Sequence, residues 1–142
     1  QQLSQSLYLD EQDEHAYYMD MVAALKSRGV RAIVFKQHPR DPSTKLSKLR
    51  RAFGSDPSVL VVPDRLACVS IEPFLEGLAG VQLLGASTNS SALLSFRAIT
   101  GGNILSFDSS AFSTKFQNER LAFCERHNIP SQRLDRTSRR VA

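Results

Sequence analysis

A chain of 142 residues with 42% hydrophobic content suits one domain, large enough to bury roughly two-thirds of its unfolded surface without staples. Abundant Leu, Ile, Val and Phe exclude a disordered composition, and a formal charge of +4 with a pI of about 9.4 permits an anionic partner. The two cysteines, Cys68 and Cys124, show no CxxC or Cys/His ligand spacing, so neither a zinc site nor a disulfide framework is expected, and a reducing compartment is the default.

The chain starts at Gln1 without a methionine or a signal peptide, and is read as a segment of something longer. No apolar run approaches the ~20 residues of a membrane-spanning helix. Residues 3–9 are weakly strand-like. Asp10 is placed to cap a helix whose first turn carries Glu11, Asp13 and Glu14, where acids favour the dipole. Tyr18, Val22 and Leu25 recur at helical spacing, and Gly29 supplies the stop. Residues 32–35, Ala-Ile-Val-Phe, read as a buried parallel strand ending at Lys36. The Pro39 and Pro42 that follow exclude regular structure. Residues 44–53 read as a short basic helix with Leu46, Leu49 and Phe53 on one face.

Residues 59–62 form a second strand candidate, stopped by Pro63. Residues 70–78 read as a helix with Pro73 in its first turn. Residues 81–84 are a third strand, followed by a polar loop at 85–89 and a helix opening at Ser90 or Ser91. Gly101 and Gly102 break that helix, residues 103–107 are a fourth strand, and residues 111–127 are mostly helical. Beyond Pro130 lies a basic tail, residues 131–142, expected to be flexible; residues 1–130 are read as the Rossmann-like domain. Strands alternating with helices predict an α/β fold, a parallel sheet with helices on both faces. In such sheets ligands bind beyond the carboxyl ends of the strands.

Three features fall there. His38-Pro39 follows the first buried strand. A histidine at that point can donate to a phosphate oxygen or give a proton to a leaving phosphate, since its reference pKa of about 6.5 is near working pH. Lys36 and Pro39 flank it as substrate-binding candidates. Ser90-Ser91 opens a helix, where free amides, the helix dipole and two hydroxyls suit an anion. Glu72 precedes Pro73 at another helix start, where a carboxylate can accept from ribose hydroxyls. Each has a plain alternative: a loop histidine without a role, an ordinary serine cap, an acid that favours a helix N-terminus. The basic clusters, Lys45, Lys48, Arg50 and Arg51, and the tail's Arg133, Arg136, Arg139 and Arg140, read as a solvated face and a basic tail before they read as a binding surface. No Walker loop, dinucleotide glycine fingerprint or GxSxG elbow is present. His15 and His127 read as structural or surface.

The order of the motifs adds to these readings. Phe35-Lys36-Gln37-His38-Pro39-Arg40, then Ser70-Ile71-Glu72-Pro73-Phe74-Leu75, then Ser90-Ser91, resembles the C-terminal nucleotide-binding half of bacterial sialyltransferases and polysialyltransferases. The resemblance covers roughly residues 1–110, without the glycine expected near Ser4. It implies the C-terminal domain of a GT-B glycosyltransferase that inverts at the anomeric carbon, with CMP-sialic acid as donor. His38 would be the general acid toward the CMP phosphate, Ser90 and Ser91 the phosphate-binding pair, and Glu72 the ribose ligand. The acidic D/E-D/E-G motif that carries the general base in those families does not occur, so acceptor activation is expected from an N-terminal domain outside this chain. No cofactor, metal or specific nucleic acid is expected. The location implied is cytoplasmic, with basic residues available for peripheral contact at the inner membrane face. Alternatives are another GT-B transferase, such as one using CDP-glycerol, and a non-catalytic module that binds an anionic surface or a protein partner.

Overall fold

A computed structural model describes residues 11–36, 43–66, 69–78 and 80–134. The elements alternate as expected, in the order α1 (Glu11–Ser27), β1 (Ile33–Phe35), α2 (Ser43–Phe53), β2 (Val59–Val61), α3 (Glu72–Glu76), β3 (Leu84–Ser87), α4 (Ala92–Thr100), β4 (Asn103–Ser109), α5 (Thr114–His127) and β5 (Ser131–Leu134). A single 3-10 turn, Asp64–Leu66, follows β2. The protein is α/β, with parallel strands and flanking helices. It divides into two compact units, Gln1–Val69 and Ser70–Ala142, where the composition predicts one domain over residues 1–130.

In the first unit β1 pairs with β2 in parallel, Ile33 opposite Val59 and Phe35 opposite Val61. Helix α1 buries Tyr17, Met21, Val22 and Leu25, and α2 buries Leu49 and Phe53. Phe35 joins them: its ring stacks on Phe53 at 5.7 Å and meets Tyr18 edge-on at 5.9 Å. Aromatic pairs of this kind add ~0.5–1.5 kcal/mol beyond the area they bury. The other face of the ribbon is bare, with Val34 62% and Leu60 58% exposed.

In the second unit the sheet order is β3-β4-β5, all parallel, with α4 and α5 as the crossovers. Ile104, Leu105, Ser106 and Phe107 of β4 are all buried, so the central strand is covered on both sides, as its apolar run predicts. Leu75, Leu93, Phe96, Ile104, Cys124 and Ile129 form the core between α3, α4, α5 and the sheet. Helix α4 ends at Gly101, whose φ of 62° is left-handed and whose N–H returns to the Arg97 carbonyl. Ser113 caps α5, its hydroxyl accepting from the Phe116 N–H at 3.3 Å.

Three expectations change. The third strand is Leu84–Ser87, shifted from the expected 81–84; the composition of residues 85–89 suggests a loop, yet Gly85, Ala86 and Ser87 pair with Ile104, Leu105 and Ser106. The reason is close packing: a β-carbon on Gly85 would lie 2.8 Å from Cδ1 of Phe96, so glycine is what lets α4 lie on the strand. Val81, expected in the strand, is 56% exposed. The helix expected over 70–78 is only Glu72–Glu76. Ser131–Leu134, assigned to the flexible tail, is instead a strand: Ser131 pairs with Ser106 and Leu134 with Ser109, and Leu134 is buried. The rest of the tail, like residues 3–9 and Asp10, lies outside the described residues.

Candidate functional site

The parallel sheet of the second unit brings the ends of β3, β4 and β5 to one edge. Ser90 and Ser91 lie just beyond β3, where ligand-binding loops of parallel sheets are found. Ser91 occupies the N-cap of α4 with helical backbone angles and no side-chain capping bond. Ser90 does the capping in its place: its hydroxyl accepts from the Ala92 N–H at 3.2 Å, and its carbonyl accepts from Leu93 at 3.0 Å. The Leu94 N–H goes to the Ser91 carbonyl at 2.9 Å. The first amides of α4 are thus engaged inside the turn, and the exposed hydroxyl of Ser91 is the group facing solvent.

Glu72 opens α3, beside Pro73. Its carboxylate accepts from the Ser70 hydroxyl. That bond, with help from its own backbone amide and the Ser95 hydroxyl, holds the carboxyl below its ordinary value, so it is an anion at neutral pH. Ser95 belongs to α4 and lies one turn after Ser91, on the same helix face. The structure therefore gathers Glu72, Ser90 and Ser91 into one unit, with α3 packed against the helix that the serines open.

The histidine half of the reading is not described: His38 and Pro39 lie outside the described residues. Lys36, at the end of β1 in the first unit, is half-buried. Farther on, Lys45 pairs with Glu14 at 2.8 Å and sits 4.9 Å above the Tyr18 ring. Burial alone would lower the Lys45 pKa, but Tyr18 and Glu14 outweigh it and raise it, so this lysine is a fixed cation that fastens α2 to α1. Arg50 donates to the Val62 carbonyl at 3.1 Å. Lys45 and Arg50 therefore serve packing as well as surface charge.

One residue was missed in the sequence. Arg120 on α5 is 1% exposed. Its Nη1 donates to the hydroxyls of Ser106 at 3.0 Å and Ser131 at 2.7 Å, and approaches Cys124 Sγ at 3.7 Å. Its Nε lies 3.4 Å from Asp108 Oδ1. The signal was in the spacing: Phe116, Arg120 and Cys124 recur every four residues and all three are buried, so the arginine sits within an apolar stripe.

Among the described residues, no group of three or more His, Cys, Asp or Glu is placed to hold a metal, and no helix is long and apolar enough to cross a membrane. No protein-family model, curated protein or solved structure matches the chain.

Proposed function

We propose that this chain is the donor-binding domain of an inverting GT-B glycosyltransferase that uses a CMP-sugar, CMP-sialic acid by its resemblance to bacterial sialyltransferases. Ser90 and Ser91 hold the phosphate, Glu72 the ribose hydroxyls, and Lys36 and Pro39 shape the donor loop. The resemblance assigns the general-acid role toward a departing phosphate to His38. As CMP leaves, negative charge grows on that phosphate, and donors already fixed in place lower the barrier without reorganising. The acceptor glycan and its general base belong to a separate N-terminal domain, so the chain alone transfers little or no sugar. Its basic residues give it peripheral contact with an anionic membrane face in the cytoplasm.

The observation that supports this reading most is the packing of α3 on α4 in the unit of the β3-β4-β5 sheet, with Glu72 at the start of one helix and the exposed Ser91 at the start of the other. An anionic carboxylate and an exposed hydroxyl on neighbouring helix starts suit a ligand that offers hydroxyls and a phosphate together. Titration calorimetry with CMP, CDP, UDP and GDP tests it. CMP should bind best, and Ser91→Ala, which leaves the Ser90 cap of α4 in place, should weaken it about tenfold, the loss of ~1.4 kcal/mol, with the melting temperature nearly unchanged. A preference for UDP, or no nucleotide binding at all, overturns the assignment.

A further inference from the structure

A buried guanidinium is costly unless its protons are placed, and removing one partner of such a group is more damaging than the pair is stabilising. Arg120 meets much of that cost through Nη1, which donates to Ser106 on β4 and Ser131 on β5, while its Nε, buried without a hydrogen-bond partner, has the Asp108 carboxylate of β4 at 3.4 Å as an ion pair. Ser106 is itself fully buried and carries a single proton to donate. That proton goes to the carbonyl of Thr88 at 2.6 Å. Ser106 must therefore accept from Arg120, and the hydrogen bonds run one way: guanidinium to hydroxyl to carbonyl. A cation at the head of such a chain polarises the hydroxyl and shortens its bond to the carbonyl. Thr88 is the first residue beyond β3, is buried, and stands two positions before Ser90.

We propose that Arg120 is a positioning residue: acting through Ser106, it fixes the Thr88 carbonyl and so sets the path of the chain that presents Ser90 and Ser91. This rests on the nucleotide-binding reading above for what the serines bind, and on the geometry alone for how they are held. The arginine has two branches that can be cut separately. Ser106→Ala removes the branch to Thr88 and leaves Ser131 and Asp108 in place. Ser131→Ala removes the branch to β5 and leaves the Thr88 branch whole.

The test compares these two variants by backbone amide NMR and by CMP titration. Ser106→Ala should move the amide resonances of Asn89, Ser90 and Ser91 in the ligand-free protein and weaken CMP by about three- to tenfold, the scale of one lost hydrogen bond. Ser131→Ala should lower the melting temperature at least as much, yet leave those resonances and the CMP affinity within about twofold of the parent. Ser106→Cys, close in size and a weaker donor, takes the place of alanine should that variant fail to fold. Equal effects of the two variants on resonances and affinity, or unmoved resonances in Ser106→Ala, would overturn the proposal. Moved resonances in a parent protein that binds no CMP would support the positioning role and sink the nucleotide reading instead.

Discussion

The two units bury charge in different settings. In the first, the buried Glu14 holds Lys45 between α1 and α2, while Lys26 pairs with Asp56 at the surface and Arg50 reaches a carbonyl at the rim, around a core that includes Tyr17, Leu49 and Phe53. In the second, a guanidinium stands inside the core, surrounded by hydroxyls and a carboxylate from two neighbouring strands. Rim pairs contribute little and can be lost singly; exposed ion pairs are worth ~0–1 kcal/mol. A buried cation with several partners fixes distances between elements, because displacing any element strands a charge. The second unit is therefore the one whose sheet edge is held in a defined geometry, and it carries the serine pair and Glu72.

That contrast can be broken by experiment. The largest effect belongs to Arg120→Ala, which leaves Asp108 and three acceptors without their donor; it should cost ~3–5 kcal/mol in chemical denaturation. Arg50→Ala, at the rim of the first unit, serves as its counterpart, and a loss as large there would erase the distinction. Next is Gly85→Ala, which drives a methyl into the Phe96 ring and should cost ~1–3 kcal/mol by the same measurement. A neutral result would mean that α4 can lift from β3 freely. The smallest effect is electrostatic. Asp56 has its pKa lowered from 3.8 to about 2, first by the Lys26 ammonium and then by Ser58. A carboxyl depressed by folding stabilises fully above its unfolded pKa and loses that contribution as pH falls through the folded value. The stability gap between the parent and Asp56→Asn should thus be constant at neutral pH and close as pH falls from about 4 to about 2. A gap that persists in acid would assign the effect to something other than charge.

Much of the fold was legible because it is local. The alternation of short apolar runs with amphipathic stretches placed β1, α2, β2, α4, β4 and α5 within a few residues. Where reading failed, the deciding partner was distant in sequence. Gly85-Ala86-Ser87 has a loop's composition and becomes a strand because β4 offers it hydrogen bonds and Phe96 covers the glycine. Ser131–Leu134 has a polar tail's composition and becomes a strand because Ser106 and Ser109 lie beside it. Of the candidate site, Ser90-Ser91 and Glu72 could be picked out by their place before helices. That α3 packs on the helix the serines open could not, since it depends on contacts between elements far apart in the chain. Arg120 was hidden because a lone arginine in a charged helix attracts no notice until its neighbours four residues either way are seen to be apolar.

The branch from Arg120 to Ser131 also bears on the order in which the sheet is assembled. Leu84 and Asn103 lie close along the chain, so β3, α4 and β4 can close on one another before α5 is complete. Of the arginine's hydroxyl acceptors, Ser106 lies on β4 and Ser131 opens β5. Docking of β5 is thereby tied to the burial of a charge: the strand that completes the sheet also closes the guanidinium off from water.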